Sequence, residues 1–381
     1  MTGRMAFRAA ALIALVFTLG VLLMAPQGGF AQTVEGRDVR EPSPQAGNVP
    51  GDTLGNIPDS AWWRDVRQGY AGQVSIPDKK QGVLIQSEGD NWRAVRNGPV
   101  SVYGSWLLLG MIILLALFFA LRGRIKVEEG LSGRTVERFN GIDRFAHWLL
   151  AVSFIVLALT GLNMLYGRYV LLPVLGPEVF AAITRAGKYA HNFVAFSFMV
   201  GLVMLFVLWV RDNIPNRYDL IWIAKGGGWL GKGVHPPAKK FNGGQKIVFW
   251  IVILGGISIS LSGLALLFPY QLPFFEKTLD VLNAFGAGLP ATLEPRQEMQ
   301  LNQVWHAIVA LVMIAVIIAH IYIGTVGMEG GFPAMGSGMV DENWAREHHN
   351  IWYAEIKGEP LPTHGESSGG KTGTGKPQPA E

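Results

Sequence analysis

The chain has 381 residues, half of them hydrophobic and only 16% charged, with a net charge of +4. This composition is typical of membrane proteins, and so small a charge gives no indication of nucleic-acid binding. The absence of cysteine excludes disulfides, thiolate-held iron–sulfur clusters, c-type haem attachment and cysteine-based zinc sites, so a metal would need histidine, methionine, carboxylate or backbone ligands.

The N-terminus has the pattern of a secretory signal. Arg4 and Arg8 precede an apolar run over residues 9–24, and small residues follow up to Ala31. We predict a signal peptide at residues 1–31, with an uncleaved signal anchor as the alternative. Residues 32–101, rich in glycine, proline and polar side chains, are predicted to form an extracytoplasmic segment.

Five apolar segments long enough to cross a membrane follow. They cover residues 103–121, 145–166, 190–210, 247–268 and 302–326. We predict one extra transmembrane helix at 102–122, a cytoplasmic loop at 123–144, a four-helix core at 145–327 and a cytoplasmic tail at 328–381. The end of this tail is rich in glycine, serine, threonine and lysine, which favours disorder.

The distribution of lysine and arginine among the loops indicates the orientation. The loop after the first span and the loop after the third are strongly cationic, whereas the two opposite loops carry few cations. Cationic loops stay in the cytoplasm. We therefore expect a multi-pass protein of a bacterial inner membrane, with a periplasmic N-terminal segment and a cytoplasmic C-terminus.

The last span contains two histidines fourteen residues apart, His306 and His320. Fourteen residues of α-helix return the side chain to within roughly 40° of its starting direction, after a rise of about 21 Å. Ionisable residues within a membrane helix are costly and usually functional. Two stacked sites, each with one imidazole, suggest two b-type haems whose second axial ligands come from neighbouring helices.

The predicted topology places the histidines in two pairs at two depths. His147 and His320 fall on the cytoplasmic side, and His191 and His306 on the external side. A single histidine near a membrane boundary is more often interfacial or hydrogen-bonded than a ligand, but four in two level pairs favour two bis-histidine haems. Such iron has no open position and suits electron transfer. The predicted fold class is thus an all-α integral membrane protein, a four-helix di-haem cytochrome b bundle with one additional N-terminal transmembrane helix.

The second and fourth spans resemble each other. Trp148 is followed after thirteen residues by Gly161, and Trp250 after the same interval by Gly263. These glycines would let a neighbouring helix or a flat macrocycle approach closely, and helix contact alone is the simpler explanation. Outside the spans, His348 and His349 lie in what we predict to be a short amphipathic surface helix.

Several motifs occur in an order that resembles the membrane cytochrome b, or gamma, subunit of respiratory formate dehydrogenase, over roughly residues 136–356. They are the residues from Arg138 to Trp148, the Leu-Thr-Gly-Leu at 159–162, the His-x-x-x-Ala at His191, the run from Lys240 to Lys246, the spacing of His306 and His320, and residues 344–353. The signal peptide, the external segment and the first span depart from the short four-span form of that family.

The resemblance implies that His147 and His320 ligate a cytoplasmic-side haem and that His191 and His306 ligate an external-side haem. It also implies a quinone site formed by Asn242, Gly244 and His320, for menaquinone or ubiquinone. A turn entering the fourth span explains the glycines at 243–244 equally well. The implied partners are a catalytic molybdenum or tungsten subunit, an iron–sulfur subunit and membrane lipid, with a higher oligomer possible and no nucleic acid.

The sequence therefore indicates an electron-transfer subunit that anchors a formate dehydrogenase in the membrane and passes its electrons to quinone. It would not oxidise formate itself. The nearest alternative is the cytochrome b subunit of a membrane-bound nickel–iron hydrogenase or another quinone-linked dehydrogenase. A haem-free proton-coupled transporter and a purely structural anchor are further alternatives. The former is disfavoured because the four core spans contain no Asp or Glu.

Overall fold

The computed structural model describes residues 87–229, 233–290 and 292–360. The predicted signal peptide and most of the predicted external segment lie outside the described residues, as does the end of the tail.

Within the described residues, five helices are long and apolar enough to cross a membrane. The first is α2 (Ser101–Arg122), which continues from α1 (Ser87–Val95) through a π-helical turn at Arg96–Val100. The other four are α3 (Gly141–Val170), α4 (Leu172–Trp209), α6 (Gly243–Leu267) and α8 (Pro295–Tyr322). The shorter elements are β1 (Thr135–Glu137), α5 (Arg217–Ala224), α7 (Phe274–Ala284), α9 (Pro333–Gly336), β2 (Met339–Asp341), α10 (Glu342–His348) and α11 (Asn350–Lys357).

The predicted all-α membrane bundle with one additional helix is confirmed. Helix α3 packs along α4, α6 packs along α8, and α4 contacts α6, so two consecutive hairpins form a four-helix bundle. Helix α2 packs against α8 from outside the bundle. Gly201 of α4 lies so close to the backbone of Leu150 of α3 that a Cβ there would be 2.9 Å from the Leu150 amide nitrogen. The close contact of the first hairpin therefore requires glycine at this position.

The two hairpins begin in the same way. Asn140 caps α3 and Asn242 caps α6, each as part of a capping box in which the third helical residue bonds back to the cap. Arg138 and Lys240, two residues before each cap, are 102 positions apart. The repeat seen in the apolar spans thus extends to the helix starts, and the two cap phenylalanines, Phe139 and Phe241, contact each other at a centroid distance of 5.6 Å.

Segments from both sides of the bundle form a cap at the end that the loop charges predict to be cytoplasmic. We name it the cytoplasmic cap: residues 123–138 and 328–357. Strand β1 pairs antiparallel with β2, with Val136 opposite Val340. Val340 and Trp344 of this cap are almost fully buried and belong to the same hydrophobic cluster as the bundle. Most of the segment predicted as a tail after residue 327 therefore continues the folded core.

The prediction that His348 and His349 lie in a surface helix is wrong. His349 is 1% exposed and Trp344 2% exposed, because α10 and α11 fold back over the loop that links α5 to α6. The amide nitrogen of Ile351 donates to the carbonyl oxygen of Ala238 in this loop. A helix of seven residues is too short for its own periodicity to show that both of its faces are covered.

Candidate haem and quinone sites

The structure brings the four intramembrane histidines together in two pairs. His147 of α3 faces His320 of α8, and His191 of α4 faces His306 of α8. The ring centroids are 6.2 Å apart in both pairs. Both contacts join residues of different hairpins, so the pairs exist only because α3 and α4 pack in the same bundle as α8.

The separation within each pair suits a single metal ion between the rings. An imidazole nitrogen binds a metal at about 2.0–2.1 Å, so two rings on opposite sides of one ion have centroids roughly 6 Å apart. The described residues contain no group of three or more His, Cys, Asp or Glu side chains that could hold a metal ion. Two opposed histidines are what the axial positions of a haem iron require.

The surroundings of the external pair show which imidazole nitrogen is available. The Thr160 hydroxyl lies 2.8 Å from His191 Nδ1 and also donates to the carbonyl oxygen of Val156. A hydroxyl has only one proton. Since that proton is used for the carbonyl, the oxygen accepts from Nδ1–H, and Nε2 of His191 remains free to bind a metal.

The second member of this pair has the same environment. The Ser262 hydroxyl lies 3.0 Å from His306 Nδ1 and donates within its own helix to the carbonyl oxygens of Ser258 and Ile259. His306 is therefore held in the same tautomer as His191. A hydrogen bond of this kind orients a ligand ring and raises its basicity, as in other metal sites.

The two repeat-related glycines lie beside these rings. A Cβ at Gly161 would be 3.6 Å from Cε1 of His191, and a Cβ at Gly263 would be 3.3 Å from Cε1 of His306. The contact at Gly161 would be an ordinary van der Waals contact, whereas the contact at Gly263 would be tight and the His306 ring would have to give way slightly. Both glycines therefore leave space beside a histidine ring.

The cytoplasmic pair is enclosed by aromatic rings. His147 stacks on Trp209 of α4 with centroids 6.3 Å apart and an interplanar angle of 28°. Nδ1 of His147 is buried and has no hydrogen-bond partner among the described residues. Trp209 is fixed in turn, because its indole N–H donates to Asp143 at 2.7 Å. The unpaired buried nitrogen is compatible with an imidazole that serves as a ligand.

Asn242 and Gly244, predicted to contact quinone, lie at the start of α6. The side-chain oxygen of Asn242 accepts from the backbone N–H of Gln245 at 2.9 Å, so it caps the helix. A Cβ at Gly244 would collide with the ring of Trp222 at 2.7 Å. The interpretation of this motif as a turn is thus correct. The side-chain N–H group of Asn242 is not used by the cap and could still donate to a quinone, so the quinone assignment stays a prediction.

An apolar groove of about 890 Å³ starts beside this turn and runs along the outside of the bundle. It lies between α5, α6 and α8, with the ion pair of Lys246 and Asp219, 3.0 Å apart, at its polar end. Gly243, Trp250 and Met313 are among the residues that line it. The groove is open along one side and its lining is mostly apolar.

Sequence reasoning identified the four histidines but missed the groups that orient them. Thr160 and Ser262 each precede a repeat-related glycine, and this shared position was the available signal. Trp209 had no such signal, because an aromatic residue in an apolar span is ordinary. Its stacking on His147 follows only from the contact between α3 and α4.

Comparisons with known proteins agree with this architecture. The cytochrome b556 subunit of the nitrate-inducible formate dehydrogenase of Escherichia coli K12 is 26% identical over 228 residues, which are 59% of this chain and 94% of that protein. A second Escherichia coli K12 formate dehydrogenase cytochrome b556 subunit is 27% identical over 224 residues, 58% of this chain and 94% of that protein. The corresponding subunit of Haemophilus influenzae is 26% identical over 235 residues, 60% of this chain and 87% of that protein.

The sequence pattern of a family described as prokaryotic cytochrome b561 matches residues 138–338. This match covers more than half of the chain and includes α3, α4, α6 and α8, the helices of the four-helix bundle. A cytochrome b carries haem b, and the paired histidines are suitable axial ligands. The chain is a multi-pass membrane protein and belongs to the prokaryotic cytochrome b561 family.

Proposed function

We propose that this chain is the di-haem cytochrome b subunit of a membrane-bound formate dehydrogenase and passes electrons from an iron–sulfur subunit to quinone. The observation that carries the proposal is the pairing of His147 with His320 and of His191 with His306, each at 6.2 Å. The names of the relatives supply the enzyme class.

In this proposal the histidine pairs hold two haem b groups at two depths of one bundle. A bis-histidine haem supplies one-electron transfer without an open coordination position. Thr160 and Ser262 hold the external ligands in one tautomer, and Trp209 packs against the cytoplasmic ligand His147. Formate oxidation would belong to a molybdenum or tungsten subunit, since this chain has no cysteine for iron–sulfur clusters.

The direction of electron flow follows from the proposed orientation. The loops assigned to the cytoplasm carry more lysine and arginine than those assigned to the outside. Electrons that enter on the external side and leave near Asn242 would move negative charge inward. This opposes a negative-inside potential at about 2.3 kcal/mol per 100 mV for a full crossing, so the redox reaction would contribute to the proton-motive force.

The ligand assignment is tested by haem content. We expect two haem b per purified wild-type chain by pyridine haemochrome, and a partial loss in His306→Ala and in His320→Ala. His235→Ala is the matched control, because His235 lies in the cytoplasmic cap region and pairs with Glu128 instead. One haem or none in a folded wild-type chain would contradict the two-haem assignment.

The partner assignment is tested by mild-detergent purification of the tagged full-length chain from its native membrane. We expect co-purification of a molybdenum- or tungsten-containing subunit and an iron–sulfur subunit with formate-dependent quinone reduction. Recovery with a nickel–iron hydrogenase would replace the formate dehydrogenase assignment while leaving the haem sites unaffected.

The quinone role of Asn242 can be separated from its role as a helix cap. Aspartate and serine cap helices about as well as asparagine, but neither has an amide N–H to donate to a quinone carbonyl. We expect Asn242→Asp and Asn242→Ser to keep wild-type haem content and to raise KM for a short-chain quinone about tenfold, the loss of one hydrogen bond. Asn140→Asp, at the repeat-related cap of α3, is the control and should leave KM unchanged. Equal KM values in all variants would remove Asn242 from the quinone site.

A further inference from the structure

A cluster of polar groups without protein partners lies inside the cytoplasmic cap. The atoms concerned are Arg138 Nε, Trp344 Nε1, His348 Nε2 and His349 Nε2, all of which are buried and lack a hydrogen bond among the described residues. His349 is 1% exposed, Trp344 2% and Arg138 5%. Buried polar atoms are nearly always paired, so four unpaired ones in one place require an explanation.

Three of these groups surround the indole ring of the fourth, Trp344. The rings of His348 and His349 lie 5.3 and 5.2 Å from the ring of Trp344. The guanidinium carbon of Arg138 lies 5.2 Å from the same ring. A site with several convergent polar atoms is where ordered water is found inside proteins.

The hydrogen bonds of the cluster define donors and acceptors. His349 Nδ1 lies 2.7 Å from the carbonyl oxygen of Lys239, which can only accept, so Nδ1 carries the proton and Nε2 is an acceptor. Arg138 Nε and Trp344 Nε1 are donors. Water both donates and accepts hydrogen bonds, so it can link this one acceptor to the two donors.

The cluster connects the surface to the start of α6. At its outer end His235 Nε2 lies 3.2 Å from Glu128 Oε2, and this carboxylate side chain is 41% exposed. At its inner end Arg138 Nη2 donates to Gln245 Oε1 at 3.2 Å, and the same oxygen accepts from the backbone N–H of Asn242 at 3.1 Å. The polar groups therefore extend from solvent to the turn where we propose quinone reduction.

The charges around the histidines keep them neutral. Burial, followed by His235 and Arg138, lowers the pKa of His348 to about 4, while Glu128 acts in the opposite direction. Burial and then Arg138 hold the pKa of His349 well below its ordinary value. A neutral imidazole with a low pKa can take up a proton from neighbouring water and release that proton again quickly, so the ring does not stay charged.

We propose that ordered water fills this cluster and that Glu128, His235, His348 and His349 conduct protons through it from the cytoplasm to the quinone site beside Asn242. The proposal rests on the proposed quinone function. Reduction of one quinone to quinol consumes two electrons, which arrive through the cytochrome, and two protons. His349 Nε2 would accept each proton from the water on its outer side and pass it to the water beside Arg138, returning to its neutral form each time.

The test uses the purified full-length complex, reduced with dithionite and then mixed rapidly with one of two acceptors. A short-chain quinone takes up protons with its electrons, whereas ferricyanide takes electrons alone. Haem absorption reports the reoxidation rate in H2O and in D2O, and a pH-indicator dye reports proton uptake. The key variant is His349→Asn, whose amide N–H can still donate to Lys239 while the Nε2 acceptor is lost.

We expect His349→Asn to slow reoxidation by quinone and the matching proton uptake by about tenfold or more, with a larger solvent isotope effect, and to leave reoxidation by ferricyanide unchanged. Trp344→Phe keeps an aromatic ring and removes one donor, so it should slow the quinone reaction in the same direction and also covers the case in which His349→Asn fails to fold. Tyr353→Phe, which removes a buried hydroxyl from the same cap at a ring that contacts Arg346 and Lys357 instead of the cluster, is the matched control.

Wild-type quinone rates and isotope effects in both His349→Asn and Trp344→Phe would overturn the proton path. Quinone rates lowered equally by Tyr353→Phe would also overturn it, because the effect would then be one of packing in the cap. A wild-type complex that ferricyanide reoxidises and quinone does not would instead refute the proposed quinone function. The two failures are therefore distinguishable.

Discussion

At the scale of single residues, the hydroxyls of Thr160 and Ser262 control the external histidine pair. Each accepts from Nδ1–H of a histidine on the next transmembrane helix, at 2.8 and 3.0 Å. An acceptor at Nδ1 makes the imidazole a stronger electron donor through Nε2. The protein can therefore adjust the potential of the external site without changing a ligand.

Ser262→Ala removes this acceptor and is expected to raise the midpoint potential of one haem by roughly a few tens of millivolts, the equivalent of one weak hydrogen bond. The direction follows because a less basic imidazole stabilises ferric iron less. Potentiometric titration of the haem absorption measures the shift. Ser260→Ala is the control, since the Ser260 hydroxyl donates only to the carbonyl oxygen of Gly256 in its own helix. The same shift in Ser260→Ala, or none in Ser262→Ala, would contradict the assigned role.

The pairing of the histidines could be predicted from the sequence, whereas the residues that contact them could not. His306 and His320 are separated by a whole number of helical turns to within a small angle, which is a property of one helix. The partners of Thr160 and Trp209 lie on another helix. Their roles depend on which faces of the two helices meet, and a hydrophobic pattern that is apolar on all sides does not show this.

At the scale of elements, the cytoplasmic cap consists of chain segments that are far apart in the sequence. Strands β1 and β2 pair across about two hundred residues, with Thr135 opposite Asp341. The carboxylate of Glu347 in α10 accepts from the backbone N–H groups of Glu128 and Glu129 at 3.0 and 3.2 Å. Such contacts hold the loop before α3 against the segment after α8.

The stability of this cap is expected to depend on pH through His348. Its pKa is lowered from 6.5 to about 4, chiefly by burial, so folding favours the neutral form. The contribution to stability is complete above pH 6.5 and is lost as the pH falls from 6.5 to 4, an effect on the order of 3 kcal/mol. Hydrogen exchange of the cap amides, corrected for intrinsic rates, should show weaker protection at pH 5 than at pH 7.

His348→Gln should flatten this pH dependence, because glutamine does not titrate. Lys126→Met, a substitution at an exposed position of the same cap, is the control and should keep the wild-type difference between pH 5 and pH 7. His349, whose pKa is also lowered by burial, keeps part of the dependence in the His348→Gln variant. Identical pH profiles for wild type and His348→Gln would show that His348 is not buried as its neutral form.

The sequence predicted the long helices well and the short ones poorly. Helices α3, α4, α6 and α8 contain apolar runs that only a membrane or a large core can accommodate. Helices α3 and α6 begin a few residues before the predicted apolar spans, because Asn140 and Asn242 cap them there. The burial of α10 depends instead on its contact with the chain near Ala238, more than a hundred residues away, and no local pattern records that contact.

At the scale of the whole molecule, the chain consists of the bundle shared with its relatives and a further N-terminal helix. The relatives match 59% of this chain but 94% of their own length. Helix α2 touches the bundle where Tyr166 donates to the carbonyl oxygen of Ser101 at 2.8 Å and where Phe118 packs edge-on against Tyr322. It supplies none of the four paired histidines.

Deletion of residues 1–122 is therefore expected to leave a bundle that still binds two haems. Removal of α2 exposes apolar side chains to lipid, which is about as apolar as the helix it replaces, so the cost is limited to lost packing. We expect unchanged haem stoichiometry by pyridine haemochrome and a lower midpoint temperature of unfolding than in the full-length chain. Loss of haem from the truncated chain would show that α2 is required to form the sites.

The amino-acid sequence by itself determined the membrane class, the helices of the bundle and the position of each histidine along its helix. These are properties of composition and of spacing along one helix, because hydrophobic length and helical rise are local. Only the tertiary structure decided how the two hairpins face each other, so that the histidines pair at 6.2 Å. It also decided that the hydroxyls of Thr160 and Ser262 lie beside Nδ1 of His191 and His306. The burial of His349 within a folded cap is likewise a tertiary feature. The physical reason is that these contacts join segments up to about two hundred residues apart, and their geometry follows from side-chain packing between helices.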